Sequence, residues 1–154
     1  MTAEDVIRAL RAKGWTMATA ESCTGGMVAA AITEIAGSSQ VFDRGFVTYS
    51  NAAKTDMLGV PAVMIAQYGA VCEAVACAMA EGALKKSAAE VAVAITGVAG
   101  PGGGSLEKPV GLVHFACATK QKTAHLEMRY GDVGRATVRK AAVLQALQLV
   151  FDAL

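Results

Sequence analysis

The residues best suited to nucleophilic chemistry lie in one stretch, where a short apolar segment runs into Glu21-Ser22-Cys23-Thr24 and then Gly25-Gly26. This pattern predicts a strand that turns directly into a helix. Such a turn exposes a hydroxyl at the carboxyl end of the strand, and the first helical turn has backbone N–H groups without internal partners. We interpret Ser22 as the candidate nucleophile. The alternative is a serine that only caps the helix.

A serine needs a base before it can attack a carbonyl carbon, and here the best candidate is a lysine. The two histidines, His114 and His125, fall inside predicted hairpin strands, where a structural or surface role is favoured. Lys54 follows the predicted second strand by about one helical turn. Burial or a neighbouring cation can lower a lysine pKa from about 10.4 towards neutrality. Lys54 is therefore the candidate base, and an exposed lysine on a short helix is the alternative.

Polar residues also end the other predicted strands. Tyr49 ends the second strand and could relay a proton to Lys54 or orient it, or it could pack on the core. Thr96 ends the third strand. Open α/β sheets bind ligands beyond the carboxyl ends of their parallel strands. If these strands are neighbours, one crevice is expected to contain Ser22, Tyr49, Lys54 and Thr96.

A glycine-rich segment, from Gly97 through Gly100 to Pro109, lets the backbone approach a ligand closely. Phosphate binding and a surface loop or oligomer contact are both compatible with it. Lys108 at its exit, or Arg135 and Arg139 in the last predicted helix, could add a cation for a phosphate or carboxylate, and solvated charges are the alternative. No Gly-x-Gly-x-x-Gly follows the first strand, which disfavours a nicotinamide redox enzyme. No Walker A motif is present either.

The elements that must position these residues alternate between helix and strand. Helices are predicted over residues 2–13, 25–35, 51–58, 61–67, 73–86 and 135–153, and strands over residues 15–20, 45–49, 90–95, 111–119 and 123–129. This order predicts a three-layer α/β/α sandwich whose mixed, mostly parallel sheet ends in an antiparallel hairpin. The length favours a single domain over residues 1–154.

Composition excludes several functional classes. The net charge of +1 argues against a nucleic-acid binder, and no apolar run is long enough for a membrane span. The four cysteines lack zinc-ligand spacing, so no metal site is expected and a reducing, cytoplasmic location is favoured. The hydrophobic content of 54% makes a homo-oligomer plausible.

Several segments, in the same order along nearly the whole chain, resemble the CinA C-terminal-domain family. They are residues 19–26 (TAESCTGG), 36–39 (AGSS), 45–54 (GFVTYSNAAK), 68–71 (YGAV), 96–101 (TGVAGP) and 108–111 (KPVG). One departure is visible: many relatives have Gly-Asp-Arg before the last helix, whereas here Asp132 is followed by Val133-Gly134-Arg135. The departure leaves the roles of Asp132 and Arg135 open.

The resemblance implies a nicotinamide-nucleotide amidase that hydrolyses nicotinamide mononucleotide to nicotinate mononucleotide and ammonia, without metal or cofactor. It implies Ser22 as nucleophile, Lys54 as base, Tyr49 as a further catalytic residue and Thr96 as the strand-end hydroxyl. Backbone N–H groups around Cys23 to Gly26 are candidates for binding the oxyanion, and the second glycine loop, Lys108 or an arginine would bind the phosphate. The sequence does not decide which loop does which. The residues expected to contact substrate are Cys23, Thr24, Gly25, Gly26, Thr96, Gly97, Gly100, Lys108 and Arg135.

Other mechanisms and functions remain open from the sequence. Cys23, with Glu21 and Lys54, has the residue types of a Glu–Lys–Cys amidase, and Ser50 is a weaker third nucleophile. A non-catalytic nucleotide-sensing or partner-binding domain could use the same glycine loops. That alternative predicts ligand binding without turnover.

Overall fold

A computed structural model describes all 154 residues of the chain, folded into six α-helices around one five-stranded sheet. The helices are α1 (Ala3–Lys13), α2 (Met27–Thr33), α3 (Asn51–Leu58), α4 (Ala62–Tyr68), α5 (Glu73–Lys85) and α6 (Arg135–Asp152). The strands are β1 (Met17–Glu21), β2 (Phe42–Val47), β3 (Val91–Gly97), β4 (Leu112–Thr119) and β5 (Thr123–Arg129).

The strand order, β2-β1-β3-β4-β5, confirms the predicted mixed sheet. Strand β1 is parallel to both β2 and β3, whereas β4 is antiparallel to β3 and β5 is antiparallel to β4. The carboxyl ends of β1, β2, β3 and β5 therefore lie at the same edge. From β1 the chain adds β2 on one side and β3 on the other, and a crevice at such a reversal is a usual ligand site.

Helices cover both faces of the sheet, which gives three layers. Helices α1, α2 and α6 pack on one face against larger side chains such as Val93, Ile95 and Phe115. Helices α3, α4 and α5 pack on the other face, where the strands present mostly alanine, for example Ala94 and Ala116. Small side chains let a helix approach the sheet closely, which accounts for the alanine-rich composition.

The second strand lies earlier in the chain than the sequence predicted. It spans Phe42–Val47 rather than residues 45–49, and its pairing with β1 ends at Glu21 opposite Val47. Because β2 is an edge strand, Asp43 and Arg44 stay exposed and give no apolar signal. Consequently Thr48 and Tyr49 lie beyond the strand, in the link that leads into α3.

Helix α2 begins at Met27, two residues later than predicted. Gly25 and Gly26 have φ values of +58° and +106°, a region that other L-residues rarely adopt. These two glycines therefore form the turn itself, and the helix starts after them.

The remaining predicted elements agree with the structure to within about two residues, as is usual at element ends. In α1, Thr2 and Asp5 form the reciprocal cap that the sequence suggested. None of the helices combines the length and the apolar character needed to span a membrane.

Candidate active site

Ser22 and Lys54 meet at the carboxyl edge of the sheet. The Lys54 Nζ lies 3.0 Å from the Ser22 Oγ, although 32 positions separate the two residues in the chain. The Lys54 amine also donates hydrogen bonds to the carbonyl oxygens of Thr48 (2.9 Å) and Tyr49 (3.2 Å). Both side chains are buried, with Ser22 8% exposed and Lys54 1% exposed. The nucleophile–base pair that the sequence predicted is therefore within hydrogen-bonding distance.

The surroundings of Lys54 favour its neutral form. Burial lowers the pKa of Lys54 below its usual 10.5, and Lys54 forms no salt bridge. A neutral amine has two N–H groups and one lone pair. As an ammonium, Lys54 donates to all three oxygens; in the neutral form its two N–H groups match the two carbonyl oxygens, and its lone pair can accept the Ser22 hydroxyl proton. The arrangement suits a general base.

The turn that carries Ser22 is anchored by backbone hydrogen bonds. The Ser22 N–H donates to the Ile95 carbonyl of β3, and the Gly25 N–H donates to the Ser22 carbonyl. The N–H groups of Cys23, Thr24 and Gly26 have no acceptor within the protein. Free N–H groups next to a nucleophile are suited to binding a developing oxyanion.

Tyr49 and Arg135 form the wall opposite the turn. The Arg135 guanidinium donates to the Tyr49 hydroxyl (2.9 Å) and to the Gly100 carbonyl (2.8 Å). The sequence indicated that Tyr49 could relay a proton to Lys54 or orient it. The backbone carbonyl of Tyr49 contacts Lys54, whereas the phenol hydroxyl contacts Arg135. Tyr49 is 60% exposed and lines the cavity, so its side chain is accessible to a ligand.

One cavity of about 340 Å³ joins these groups. Its volume falls in the range typical of small-molecule sites. It is lined by Ser22, Cys23, Tyr49, Asn51, Lys54, Ala70, Val71, Thr96, Gly97, Val98, Ala99, Gly100, Gly102, Gly103, Gly104 and Arg135. Ser22 and Cys23 of the turn and the glycine-rich segment over residues 97–104 therefore face the same space.

Thr96 and Gly97 lie on the cavity wall for different reasons. The Thr96 hydroxyl donates to the Ala70 carbonyl (2.9 Å), so it fixes the loop before α5. A Cβ on Gly97 would lie 2.9 Å from the Leu112 carbonyl oxygen, so no larger residue fits where β3 meets β4. Both residues shape the cavity, and the Thr96 hydroxyl already has its hydrogen-bond partner within the protein.

Four residues expected to contact substrate lie outside the cavity lining. The Thr24 hydroxyl donates to the Glu21 carboxylate, and the Lys108 ammonium donates to the Tyr68 carbonyl. Gly25 and Gly26 belong to the turn behind Ser22 and Cys23. Lys108 is thus engaged in fastening the glycine loop to the end of α4, which leaves Arg135 as the one cationic side chain on the cavity wall besides Lys54.

The structure argues against the two other nucleophiles. Burial raises the pKa of the Cys23 thiol to about 11, and Lys54 is bonded to the neighbouring Ser22 instead. The Glu21 carboxylate accepts from Thr24, Val28 and Ala29 and makes no contact with Lys54. The Ser50 hydroxyl caps α3 by accepting from the Ala53 N–H. Ser22 alone has a base in contact.

The two histidines pair with each other away from this site. The His114 Nδ1 lies 2.9 Å from the His125 Nε2, and their rings stack with centroids 5.1 Å apart. Neither lines the cavity. No group of three or more His, Cys, Asp or Glu side chains in the chain is arranged to hold a metal ion.

Sequence reasoning missed the carbonyl acceptors of Lys54 and the contact made by Arg139. The Arg139 guanidinium donates to the carbonyl oxygens of Cys23 (3.0 Å) and Thr24 (3.3 Å), more than 100 positions away. Carbonyl groups carry no residue-type signal, so Thr48 could not be singled out. For Arg139, its place one helical turn after Arg135 on the same helix was the one signal available.

The chain is similar to a known protein family and to several of its members. The family model described as the CinA C-terminal domain matches residues 1–154. A protein from Escherichia coli K12 named nicotinamide-nucleotide amidohydrolase PncC is 53% identical over 97% of this chain and 90% of its own length. A CinA-like protein from Syntrophobacter fumaroxidans is 52% identical over 94% of this chain, which spans about a third (34%) of that longer relative.

Solved structures agree with these sequence relatives. The competence/damage inducible protein CihA from Agrobacterium tumefaciens is 54% identical and superposes with a TM-score of 0.96, covering 97% of this chain and 92% of its own. A CinA superfamily protein from Escherichia coli is 36% identical, with a TM-score of 0.93 over 99% of this chain and 91% of its own.

Proposed function

Since the chain belongs to the CinA C-terminal domain family, we propose that it is an amidohydrolase that converts nicotinamide mononucleotide to nicotinate mononucleotide and ammonia, with Ser22 as nucleophile and Lys54 as base. Supporting the reaction class is the name of the Escherichia coli relative, which matches this chain over 90% of its own length. The observation that carries the mechanism is the 3.0 Å contact between the Lys54 Nζ and the Ser22 Oγ inside a buried site.

Acylation begins when the neutral Lys54 amine takes the Ser22 hydroxyl proton as the Ser22 oxygen bonds to the carboxamide carbon. The carbonyl oxygen becomes an oxyanion, for which the free N–H of Cys23, on the cavity wall, and that of the adjoining Thr24 are the candidate donors. A single such donor is worth about 3–4 kcal/mol in known hydrolases. The C–N bond then breaks, and the Lys54 ammonium returns its proton to the departing nitrogen, which leaves as ammonia.

Deacylation repeats these steps with water as the nucleophile. Neutral Lys54 removes a proton from the water as its oxygen bonds to the acyl carbon. The ester bond to Ser22 then breaks, and the lysine proton restores the serine hydroxyl. The product leaves as a carboxylic acid and loses its proton to solvent to become the carboxylate, and no redox change or co-reactant other than water is required.

The rest of the cavity suits a nucleotide. Arg135 uses two of its five N–H donors on Gly100 and Tyr49, which leaves donors for a phosphate. Gly102, Gly103 and Gly104 bring unhindered backbone to the same wall. The exposed Tyr49 ring offers an aromatic face to the pyridine. We assign phosphate binding to Arg135 with the second glycine loop, and oxyanion binding to the Ser22 turn.

Ammonia release from a panel of pyridine amides tests this proposal. We expect wild-type protein to act on nicotinamide mononucleotide, and both Ser22→Ala and Lys54→Met to lose at least about 1,000-fold in kcat, as removal of members of a catalytic unit does elsewhere. Ser87→Ala and Lys85→Met, which lie at the far end of α5, are the matched controls and should keep full activity.

Two outcomes would contradict the proposal. Normal ammonia release by Ser22→Ala would exclude Ser22 as the nucleophile, and loss of activity in Cys23→Ser with retention in Ser22→Ala would transfer the role to Cys23. Tight nucleotide binding by wild-type protein without any ammonia release would instead identify a non-catalytic nucleotide-sensing domain.

A further inference from the structure

Two charged side chains hold the Ser22 turn from opposite ends without lining the cavity. Glu21, at the end of β1, is fully buried, and its carboxylate accepts hydrogen bonds from the Thr24 hydroxyl (2.7 Å) and the N–H groups of Val28 (2.8 Å) and Ala29 (3.1 Å). Arg139, in α6, donates to the carbonyl oxygens of Cys23 and Thr24. Glu21 thus accepts hydrogen bonds from groups of the turn and of α2, and Arg139 donates hydrogen bonds to carbonyl oxygens of the same turn.

The Glu21 carboxylate acts as a helix cap that comes from the strand before the turn. It is bonded to the first N–H groups of α2, a position where negative charge is favourable. It also fixes the Thr24 side chain in the middle of the turn. Since Glu21 directly precedes Ser22, these three hydrogen bonds restrict the backbone there and so limit the positions that the Ser22 hydroxyl can take.

Arg139 fixes the orientation of two peptide groups in the turn. In a trans peptide the carbonyl and the N–H point in opposite directions. The contact of Arg139 with the Cys23 carbonyl therefore directs the Thr24 N–H away from Arg139. A positively charged donor on a carbonyl oxygen also polarises the whole amide, which makes its N–H a stronger donor. The Thr24 N–H is one of the groups with no acceptor in the protein.

We propose that Arg139 and Glu21 are positioning residues for the reaction, which together hold the Ser22 turn so that its free N–H groups are aligned and polarised for the oxyanion. The inference rests on the proposed amidohydrolase function. Neither side chain touches substrate, because neither lines the cavity. Their removal should therefore lower the rate of the chemical step and leave substrate affinity nearly unchanged.

The test compares Arg139→Met, Arg139→Lys and Glu21→Gln with two controls. Arg11→Met removes another arginine bonded to a backbone carbonyl, that of Gly37. Glu90→Gln alters another carboxylate that accepts a backbone N–H and a threonine hydroxyl, both from Thr16 at the opposite edge of the sheet. The measurements are kcat, KM and the midpoint of thermal unfolding.

We expect kcat to fall about 10- to 100-fold in Arg139→Met and Glu21→Gln, less than the roughly 100- to 1,000-fold lost when an oxyanion donor is removed outright, because the N–H groups stay but are less well aligned, while KM stays within about threefold. Arg139→Lys keeps the charge but can bond fewer carbonyls, so its kcat should lie between those of wild type and Arg139→Met. The two controls should keep wild-type kcat even if their thermal unfolding midpoints fall as much as those of the Arg139 and Glu21 variants. Wild-type kcat in folded Arg139→Met and Glu21→Gln, or a loss confined to KM, would overturn the proposal.

A second measurement separates this proposal from the proposed function. A sulfonyl fluoride forms an ester with an activated serine and loses fluoride, so mass spectrometry of the Ser22 peptide reports the reactivity of Ser22 without an amide substrate. We expect at least about tenfold slower labelling in Arg139→Met than in wild type or Arg11→Met. Wild-type protein that labels at Ser22 but releases no ammonia would refute the amidase function alone. Equal labelling of all variants would refute the positioning roles.

Discussion

At the scale of single residues, the site depends on a lysine that is buried without a carboxylate partner. Burial disfavours the ammonium, and the carbonyl oxygens of Thr48 and Tyr49 satisfy both N–H groups of the neutral amine. The Ser22 hydroxyl is then the remaining partner of Lys54. The same burial that suits Lys54 to the proposed role of base also makes its charged form costly to the folded state.

The pH dependence of the reaction should follow the protonation of Lys54. Only the neutral amine can take the Ser22 proton, so kcat/KM should rise with pH and level off above the Lys54 pKa in the folded protein. That pKa lies below 10.5 because of burial. Initial rates of ammonia release between pH 5 and pH 10 would show the rise. A rate independent of pH throughout this range would contradict the role of Lys54.

The stability of the protein should also depend on the protonation of Lys54. The pKa of Lys54 is lower in the folded chain than in the unfolded chain, so the unfolded state binds more protons between the two values. The free energy of unfolding of wild type, relative to Lys54→Met, should therefore rise with pH through this window and stop rising above about 10.5. Urea denaturation of both proteins at several pH values measures the difference, in which contributions shared by both chains cancel. A difference that decreases with pH would contradict a lowered Lys54 pKa.

At the scale of elements, α3 delivers Lys54 to the site. Helix α3 begins immediately after the link that supplies the Thr48 and Tyr49 carbonyls, and Ser50 caps it through the Ala53 N–H. Lys54 lies in the first turn after the cap. The orientation of this short helix therefore controls the distance between Lys54 and Ser22.

Removal of the α3 cap should affect both stability and catalysis. Ser50→Ala should cost about 1 kcal/mol of unfolding free energy and lower kcat severalfold, because the start of α3 is less firmly held. Thr2→Ala removes the cap of α1, which lies on the other face of the sheet, and should cost a similar free energy with kcat unchanged. Chemical denaturation and steady-state kinetics of both variants provide the comparison. Equal kcat values in the two variants would show that the α3 cap does not act on the site.

At the scale of the whole molecule, the order of the strands creates the active site. Strand β1 has β2 and β3 as its two neighbours, so the ends of three parallel strands meet at one edge. Strand β5 ends at the same edge, and α6, which five residues separate from the end of β5, brings Arg135 and Arg139 there. The antiparallel hairpin is thus the means by which the last helix reaches the site.

The hairpin also contains a histidine pair that should make the fold sensitive to acid. Burial lowers the pKa of His114, as do the neighbouring His125 and Lys108, while Glu127 and Glu73 act in the opposite direction. Because the folded pKa is below the unfolded value of about 6.5, the unfolded state binds more protons, and stability is lost as pH falls from about 6.5 through the folded pKa.

His114→Gln should reduce this loss. Urea denaturation at pH 8 and pH 5 would show wild type losing more unfolding free energy than His114→Gln over that interval. Lys120→Gln, an exposed change in the turn of the same hairpin, is the control and should behave as wild type. An equal loss of unfolding free energy at low pH in wild type and His114→Gln would contradict the lowered His114 pKa.

Self-association, expected from the composition, stays a prediction that size-exclusion chromatography can test.

Much of the fold could be predicted because its signals are local. Gly14 and Gly59 end helices, Thr2 caps α1, and the apolar run over residues 91–95 indicates a strand buried on both faces. The errors fell where local signals are weak. Strand β2 is an exposed edge strand with polar residues, and the start of α2 depends on the positive φ of two glycines.

The site was only partly predictable for a related reason. Residue types and their places near strand ends and helix starts predicted that Ser22, Lys54 and Thr96 share one crevice and that Arg135 could add a cation for the substrate, and all four line the same cavity. The partners of each side chain were not predictable, since the Tyr49 phenol, the Lys108 ammonium and the Glu21 carboxylate each bond to residues that are remote in sequence or carry no type signal.

The sequence by itself determined most of the elements and their order, and it indicated a candidate nucleophile at the end of β1 and a candidate base in α3, because these signals depend on neighbours within a few residues. Only the tertiary structure decided that a lysine amine faces the serine hydroxyl, that a phenol faces an arginine, and that α6 holds the nucleophile's turn. Those contacts depend on strand order and helix packing, which bring together groups more than 30 positions apart.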